Sequence, residues 1–322
     1  MITPKKIFFH VFFAVFVFGM TCLLALSAGV EFISPFHFLE PSFTPIGKLR
    51  LSRILLGVIS GGSLALSGCV FQVLLKNPLA DPFILGISAS AALGATIAFA
   101  LHLPYNAIIL FSLLSALIAL GIIIFVAQKK GPTASNFILL TGVLLGFLFS
   151  AIVTLFLTFA TPYESASLIF WLMGSLSHPV PLSISWISLG IVFGISLFLF
   201  LKSYELNLLN LGLDEAHALG ADLLKTQRRF YLLASFLTAL SVALTGMIGF
   251  IGLILPHVIR KFWGTDHRLT LPLHLFWGAT FLIFTDACMR TLSPYEMPLG
   301  VITALVGAPI FLWILWKGHP YQ

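Results

Sequence analysis

Long apolar runs separated by short polar connections fill the chain from end to end. They cover residues 7–30, 51–75, 82–103, 105–127, 137–160, 183–201, 230–247, 249–262, 271–289 and 299–316. A hydrocarbon core about 30 Å thick is crossed by a helix of about 20 apolar residues. The pattern therefore predicts an all-α polytopic membrane protein of about ten transmembrane helices, the eighth of them short. The first run follows Lys5 and Lys6, as the core of a signal peptide would, but it is long and no small-residue cleavage site follows it. It reads as the first helix. No linker, low-complexity tract or soluble stretch interrupts the pattern, so residues 1–322 are expected to form a single transmembrane domain.

Within the runs, small residues recur at every fourth position: Gly57, Gly61 and Ala65; Gly86, Ser90 and Gly94; Gly142 and Gly146; Gly300, Ala304 and Ala308. Such rows let neighbouring backbones come close, which is how helices associate where lipid removes the hydrophobic driving force between them. Residues 165–179 are too short to span and contain Gly174 and Pro179. They fit a short outer-side or re-entrant helix, tolerated at membrane depth only against protein or a water-filled cavity.

One stretch breaks the apolar pattern. Residues 212–230, G-L-D-E-A-H-A-L-G-A-D-L-L-K-T-Q-R-R-F, hold Asp214, Glu215, Asp222, Lys225, Arg228, Arg229 and His217 in a chain that is only 9% charged. Leu213, Ala216, Leu219 and Leu223 recur at helical spacing, and Gly220 is placed to end one short helix and turn into the next. Two readings are open: a solvated loop lying on its own bundle, or an amphipathic surface on which a soluble subunit docks.

Composition agrees with the membrane reading. The chain is 59% hydrophobic, with 32 Phe and a mean hydropathy of +1.07, far above the roughly 45–50% apolar content of soluble domains. A net charge of +6 does not point to nucleic acid, because the basic residues flank apolar runs and orient them. Threading the ten spans from a cytoplasmic N-terminus leaves Lys48, Arg50, Arg53 and Arg290 outside and the other thirteen of the 17 Lys and Arg inside. This is the asymmetry of the positive-inside rule, and it places both termini and the polar stretch in the cytoplasm. Cys22, Cys69 and Cys288 lie in apolar runs and read as packing residues.

What the chain lacks narrows the mechanism. Nearly all of its 11 carboxylates fall in loops or at span ends, and only Asp286 sits within a span, toward the outer end. An ion-coupled carrier keeps ionisable groups near the midplane. No G-x-x-x-x-G-K-[ST] phosphate cradle occurs, and no paired Ser/His or metal-ligand set suggests an intramembrane enzyme. His102, His178, His257 and His274 form no local ligand pair and read as helix-end or packing residues. The chain is expected to be a transport subunit with no catalytic residue, metal or cofactor of its own. Its energy then comes from another subunit, which favours docking for residues 212–230.

Five blocks, in order, resemble the FecCD family. They are R-L-S-R at 50–53, S-G-C-V-F-Q-V-L-L-K-N-P-L-A-D-P-F-I-L-G-I from Ser67, G-L-D-E-A-H-A-L-G at 212–220, G-F-I-G-L-I-L-P-H-V-I-R with T-D-H-R downstream, and E-M-P-L-G-V-I-T-A-L-V-G-A-P-I-F from Glu296. Members of that family are permease subunits of ATP-binding-cassette (ABC) importers for iron–siderophores, haem and vitamin B12. The resemblance implies a vitamin B12 permease-like (type II) fold in the bacterial inner membrane. It implies alternating-access import of a ferric siderophore or similar iron chelate, with vitamin B12 or haem as the alternative cargo. The implied partners are a second permease subunit, two cytoplasmic ATPases that carry ATP and Mg, and an extracytoplasmic binding protein.

The resemblance also implies residue roles. Coupling helices at about 204–229 would sit in a cleft of the ATPase, with Gly212, Asp214, Ala216, Leu219, Gly220 and Arg228 matching the family pattern. Arg50, Arg53 and Arg290 match positions that meet acidic residues on the binding protein. Asn77, Pro78, Leu79, Ser135 and Asn136 fall where the cytoplasmic gate lies, and Trp171 and Gly174 fall in the pathway lining.

Overall fold

The computed structural model describes residues 4–29, 32–34, 44–83, 85–128, 134–211, 223–293 and 295–316. Among them every regular element is an α-helix. In chain order these are α1 Pro4–Ser27, α2 Thr44–Leu74, α3 Ile87–Ala100, α4 Tyr105–Gln128, α5 Ala134–Phe159, α6 Pro162–Leu172, α7 Leu182–Leu201, α8 Ser203–Leu211, α9 Leu223–Thr245, α10 Ile251–Trp263, α11 His267–Leu292 and α12 Leu299–Trp316.

Each apolar run of the sequence coincides with one of these helices. Among the described residues, six helical stretches are long and apolar enough to cross a membrane: Lys5–Ser27, Pro45–Leu74, Tyr105–Val126, Phe137–Phe159, Leu182–Leu201 and His267–Leu292. The other four fall short for visible reasons. α3 has 14 residues and α10 has 13, α12 is counted among the shorter apolar helices, and Lys225, Arg228 and Arg229 occupy the first turns of α9. Length and composition thus pick out six helices able to cross, among the described residues, where the pattern predicts about ten.

The hub is α2. It packs against α11, α9, α10 and α7, and nearly every residue from Ile54 to Leu75 is buried. A helix enclosed by helices needs no polar stripe, and α2 has none between Ile54 and Leu66 beyond small Ser side chains. The small-residue rows do what their spacing predicts. A methyl group at Gly61 would overlap the backbone of Gly278 in α11; Gly68, outside those rows, is packed as closely on the backbone of Gly252 in α10. α1 packs along α11, while Phe8, Phe9, Phe12 and Phe16 stay exposed, as lipid-facing residues do.

Of the boundaries that differ from the sequence pattern, two have a visible local cause. α3 begins at Ile87 rather than 82, because turns precede it: the Asn77 side chain accepts the Leu79 N–H at 2.9 Å and Asp81 accepts the Phe83 N–H at 2.8 Å. The short helix expected at 165 begins at Pro162, where Thr161 and Glu164 form a reciprocal capping box behind a proline in the first turn.

On the side of α6, the chain also unwinds between α9 and α10, where Gly246 and Phe250 both take left-handed backbone (φ 71° and 70°). This break is knitted to its neighbours through the backbone. Ser175 N–H donates to Thr245 O at 2.8 Å, Leu299 N–H to Gly174 O at 2.9 Å, and Gly300 N–H to Met173 O at 3.1 Å.

Candidate functional site

The basic residues expected outside from the charge pattern converge where the C-terminus of α1 meets α2 and α11. The last carbonyls of a helix have no partner within it and draw cations. Arg50 is 8% exposed and donates to Ser27 O at 2.9 Å and to Leu26 O. Arg290 donates to Ala28 O at 3.0 Å and Ala25 O at 3.1 Å. Two of the three arginines singled out in the sequence are therefore built into the α1 terminus.

Arg53 is placed differently. Its Nη1 donates to Asp286 Oδ1 at 3.2 Å and its Nη2 to Glu296 Oε1. Asp286 is held from its other oxygen by Arg290 Nε at 2.8 Å. Glu296 Oε2 accepts the Ser177 hydroxyl at 2.8 Å, and Ser177 and Ser175 share a hydrogen bond of 2.7 Å. Asp286, the one span carboxylate in the sequence, is thus locked between two guanidinium groups and 7% exposed at its side chain. Lys48, Arg50, Arg53, Asp286, Arg290 and Glu296 all line an open cleft of ≈ 750 Å³.

Beside it lies a smaller cavity of ≈ 330 Å³ with aromatic walls, including Phe99, Tyr105, Phe170 and Trp171. Trp171 is 3% exposed and stacks on His178 at 6.1 Å between ring centres. Burial pushes the His178 imidazole down to about 4, so it is neutral. Gly174 lies behind this wall in left-handed backbone (φ 74°), where any side chain would meet the Met247 carbonyl. Trp171 therefore lines a cavity, and Gly174 supplies a close backbone crossing.

At the opposite end, Leu79 is exposed, while Asn77 and Pro78 are half-buried. Asp81 nearby is buried, which pushes its carboxyl up to about 6 against the pull of the Phe83 N–H. Ser135 and Asn136 start α5, and their side chains lie outside the described residues. Gly212, Asp214, Ala216, Leu219 and Gly220 also lie outside the described residues. Arg228 is described and exposed near the start of α9.

The helix leading into that stretch, α8, is fastened to the helix ends around it. Asn207 Nδ2 donates to Asp266 Oδ1 at 2.9 Å, and its Oδ1 accepts the His267 N–H at 2.9 Å. Asp266 is itself the cap of α11. Glu205 accepts from Lys202 and, at 3.3 Å, from the Thr226 hydroxyl. Among the described residues no three His, Cys, Asp or Glu side chains come together to hold a metal ion.

Sequence reasoning missed Glu296 as a partner of Arg53, Ser177 as the partner of Glu296, and Asn207 altogether. The Asp286–Arg290 spacing of four on one helix was an available signal. The other contacts join residues far apart in the chain and left none.

Comparison with known proteins extends this geometry. The model of the FecCD transport family matches residues 15–317. An uncharacterised ABC transporter permease protein, YvrB of Bacillus subtilis, is 36% identical over 87% of this chain and 81% of its own length. The vitamin B12 import system permease protein BtuC of Vibrio vulnificus is 38% identical over 93% of both chains. A solved inward-facing structure assigned to the metal-chelate type of ABC transporter superposes with a TM-score of 0.86, at 31% identity, over 98% of this chain and 100% of that one.

Proposed function

The chain belongs to the FecCD transport family, and we propose that it imports a large metal chelate, a ferric siderophore first, across the bacterial inner membrane. It does so as the permease subunit of an ABC importer working by alternating access, with its N-terminus in the cytoplasm. It forms one domain and pairs with a second copy. Two cytoplasmic ATPases supply ATP hydrolysis with Mg, and residues 204–229 are the surface they drive. An extracytoplasmic binding protein delivers the cargo to the outer cleft.

The observation that supports this reading best is the whole-chain structural likeness to a transporter of the metal-chelate type. The outer cleft is consistent with it. Arg53 offers a planar fork at the rim of a basic, open hollow, a geometry suited to carboxylates on a transient partner. Arg50 and Arg290 support that fork from behind by fixing α1 and Asp286. Asn77, Pro78, Leu79, Ser135 and Asn136 form the cytoplasmic gate, and Trp171 with Gly174 borders the pathway. The relatives named as vitamin B12 permeases favour a second reading, in which cobalamin is the cargo.

Cells that differ only in this chain distinguish the cargoes by uptake of a radiolabelled ferric hydroxamate chelate and of radiolabelled cobalamin. The proposal predicts iron uptake that depends on the chain and stops when ATP is depleted. Uptake of cobalamin alone would select the second reading. Uptake that survives ATP depletion but stops when ion gradients collapse would overturn the importer.

A further inference from the structure

Arg53 is bound by two carboxylates of opposite character. Asp286 is almost wholly buried, with both oxygens occupied by guanidinium groups, and it cannot leave without stranding two charges. Glu296 is 66% exposed at its side chain and stands in a non-helical connection between α11 and α12, at the rim of the ≈ 750 Å³ cleft. Its remaining anchor is the Ser177 hydroxyl.

We propose that Glu296 is an internal stand-in: it occupies the outward arm of Arg53 until a carboxylate of the outer partner displaces it. This deepens the docking reading of Arg53 given above and rests on it. Exchange is easy because one exposed carboxylate replaces another on the same fork, and exposed ion pairs stabilise little. The charge paired with the outward arm of Arg53 is the same before and after. Exchange also has somewhere to propagate. Glu296 is three residues from Leu299 and four from Gly300, whose N–H groups are bonded to Gly174 and Met173 at the end of α6. Releasing Glu296 frees Ser177 on the α6–α7 connection and loosens the start of α12 together. The device reports occupancy of the cleft to the helices that border the inner cavity.

The test uses the full chain in phosphatidylcholine nanodiscs and a fluorescein-labelled hexaglutamate peptide, read by anisotropy at low ionic strength. Ser177→Ala changes no charge but removes the second anchor of Glu296, and it is expected to tighten peptide binding about threefold. Glu296→Gln is expected to tighten it at least as much, and Arg53→Ala to reduce it to background. If Arg53→Ala does not fold, Arg53→Gln, which keeps a hydrogen bond to Asp286, takes its place. Tightening by Glu296→Gln without tightening by Ser177→Ala would be plain charge removal and would overturn the stand-in. Loss of binding in the Arg53 variant with no change in either of the others would overturn the stand-in and leave docking at Arg53 intact. Binding that persists without Arg53 would remove both.

Discussion

Single residues here are set by where their charge has to go. Asp81 sits in the turn between α2 and α3, and burial raises its carboxyl to about 6 while its oxygen still accepts the Phe83 N–H. A carboxyl raised in the folded state contributes stability that is fully present below its unfolded value near 4 and is lost as pH rises through about 6. Asp81→Asn keeps the acceptor and removes the charge. The variant is expected to melt a few degrees higher than the wild type at pH 7.5, with the difference vanishing by about pH 4; a scan of melting temperature against pH measures it. Equal melting at every pH would mean that the Asp81 charge is stabilised by a partner.

Which charges are exposed was only partly legible at this scale. That Arg50, Arg53 and Arg290 gather at one end of the bundle follows from the order of the spans alone. That two of them spend their donors on the α1 carbonyls, leaving Arg53 alone with an exchangeable partner, depends on side-chain direction across three helices. No pattern along the chain carries that information.

Helices meet here through glycine. The sequence marks Gly61 by its spacing but gives no hint that its counterpart is Gly278, since rows identify a face and not the face opposite. Gly68 lies outside the four-residue rows altogether, yet its Cα faces the Gly252 backbone. Gly68→Ala forces α2 and α10 apart and is expected to cost about 1–3 kcal/mol, read as a lower melting temperature in detergent or nanodiscs. Gly121 and Gly190 have open space where a side chain would go, so alanine at either is the matched control and should leave melting near the wild-type value.

Element type was the most legible property, because composition and run length decide it. Element ends were less so. α6 starts at a capping box that precedes its apolar residues, and α3 starts late because side-chain turns at Asn77–Leu79 and Asp81–Phe83 come before it.

At the scale of the whole molecule, an apolar bundle carries two polar ends. The end at the cleft carries a chain of contacts running Arg290–Asp286–Arg53–Glu296–Ser177. The other end is joined to the bundle by α8, which Asn207 fastens to the cap of α11. α11 is helical from that cap to Asp286 and Arg290, with Pro272 inside it, and so connects the two ends. A force applied beyond α8 would therefore reach the contacts at the cleft through α11 by tilting, the kind of motion that packed helices allow.

The central claim is that another subunit applies that force. It is tested most directly by purifying the tagged chain from its native membranes in mild detergent and identifying what accompanies it. The importer account predicts a stoichiometric P-loop ATPase that is lost when Leu219→Glu or Arg228→Glu is introduced. A chain that comes out alone, and still drives uptake in vesicles without ATP, would contradict it.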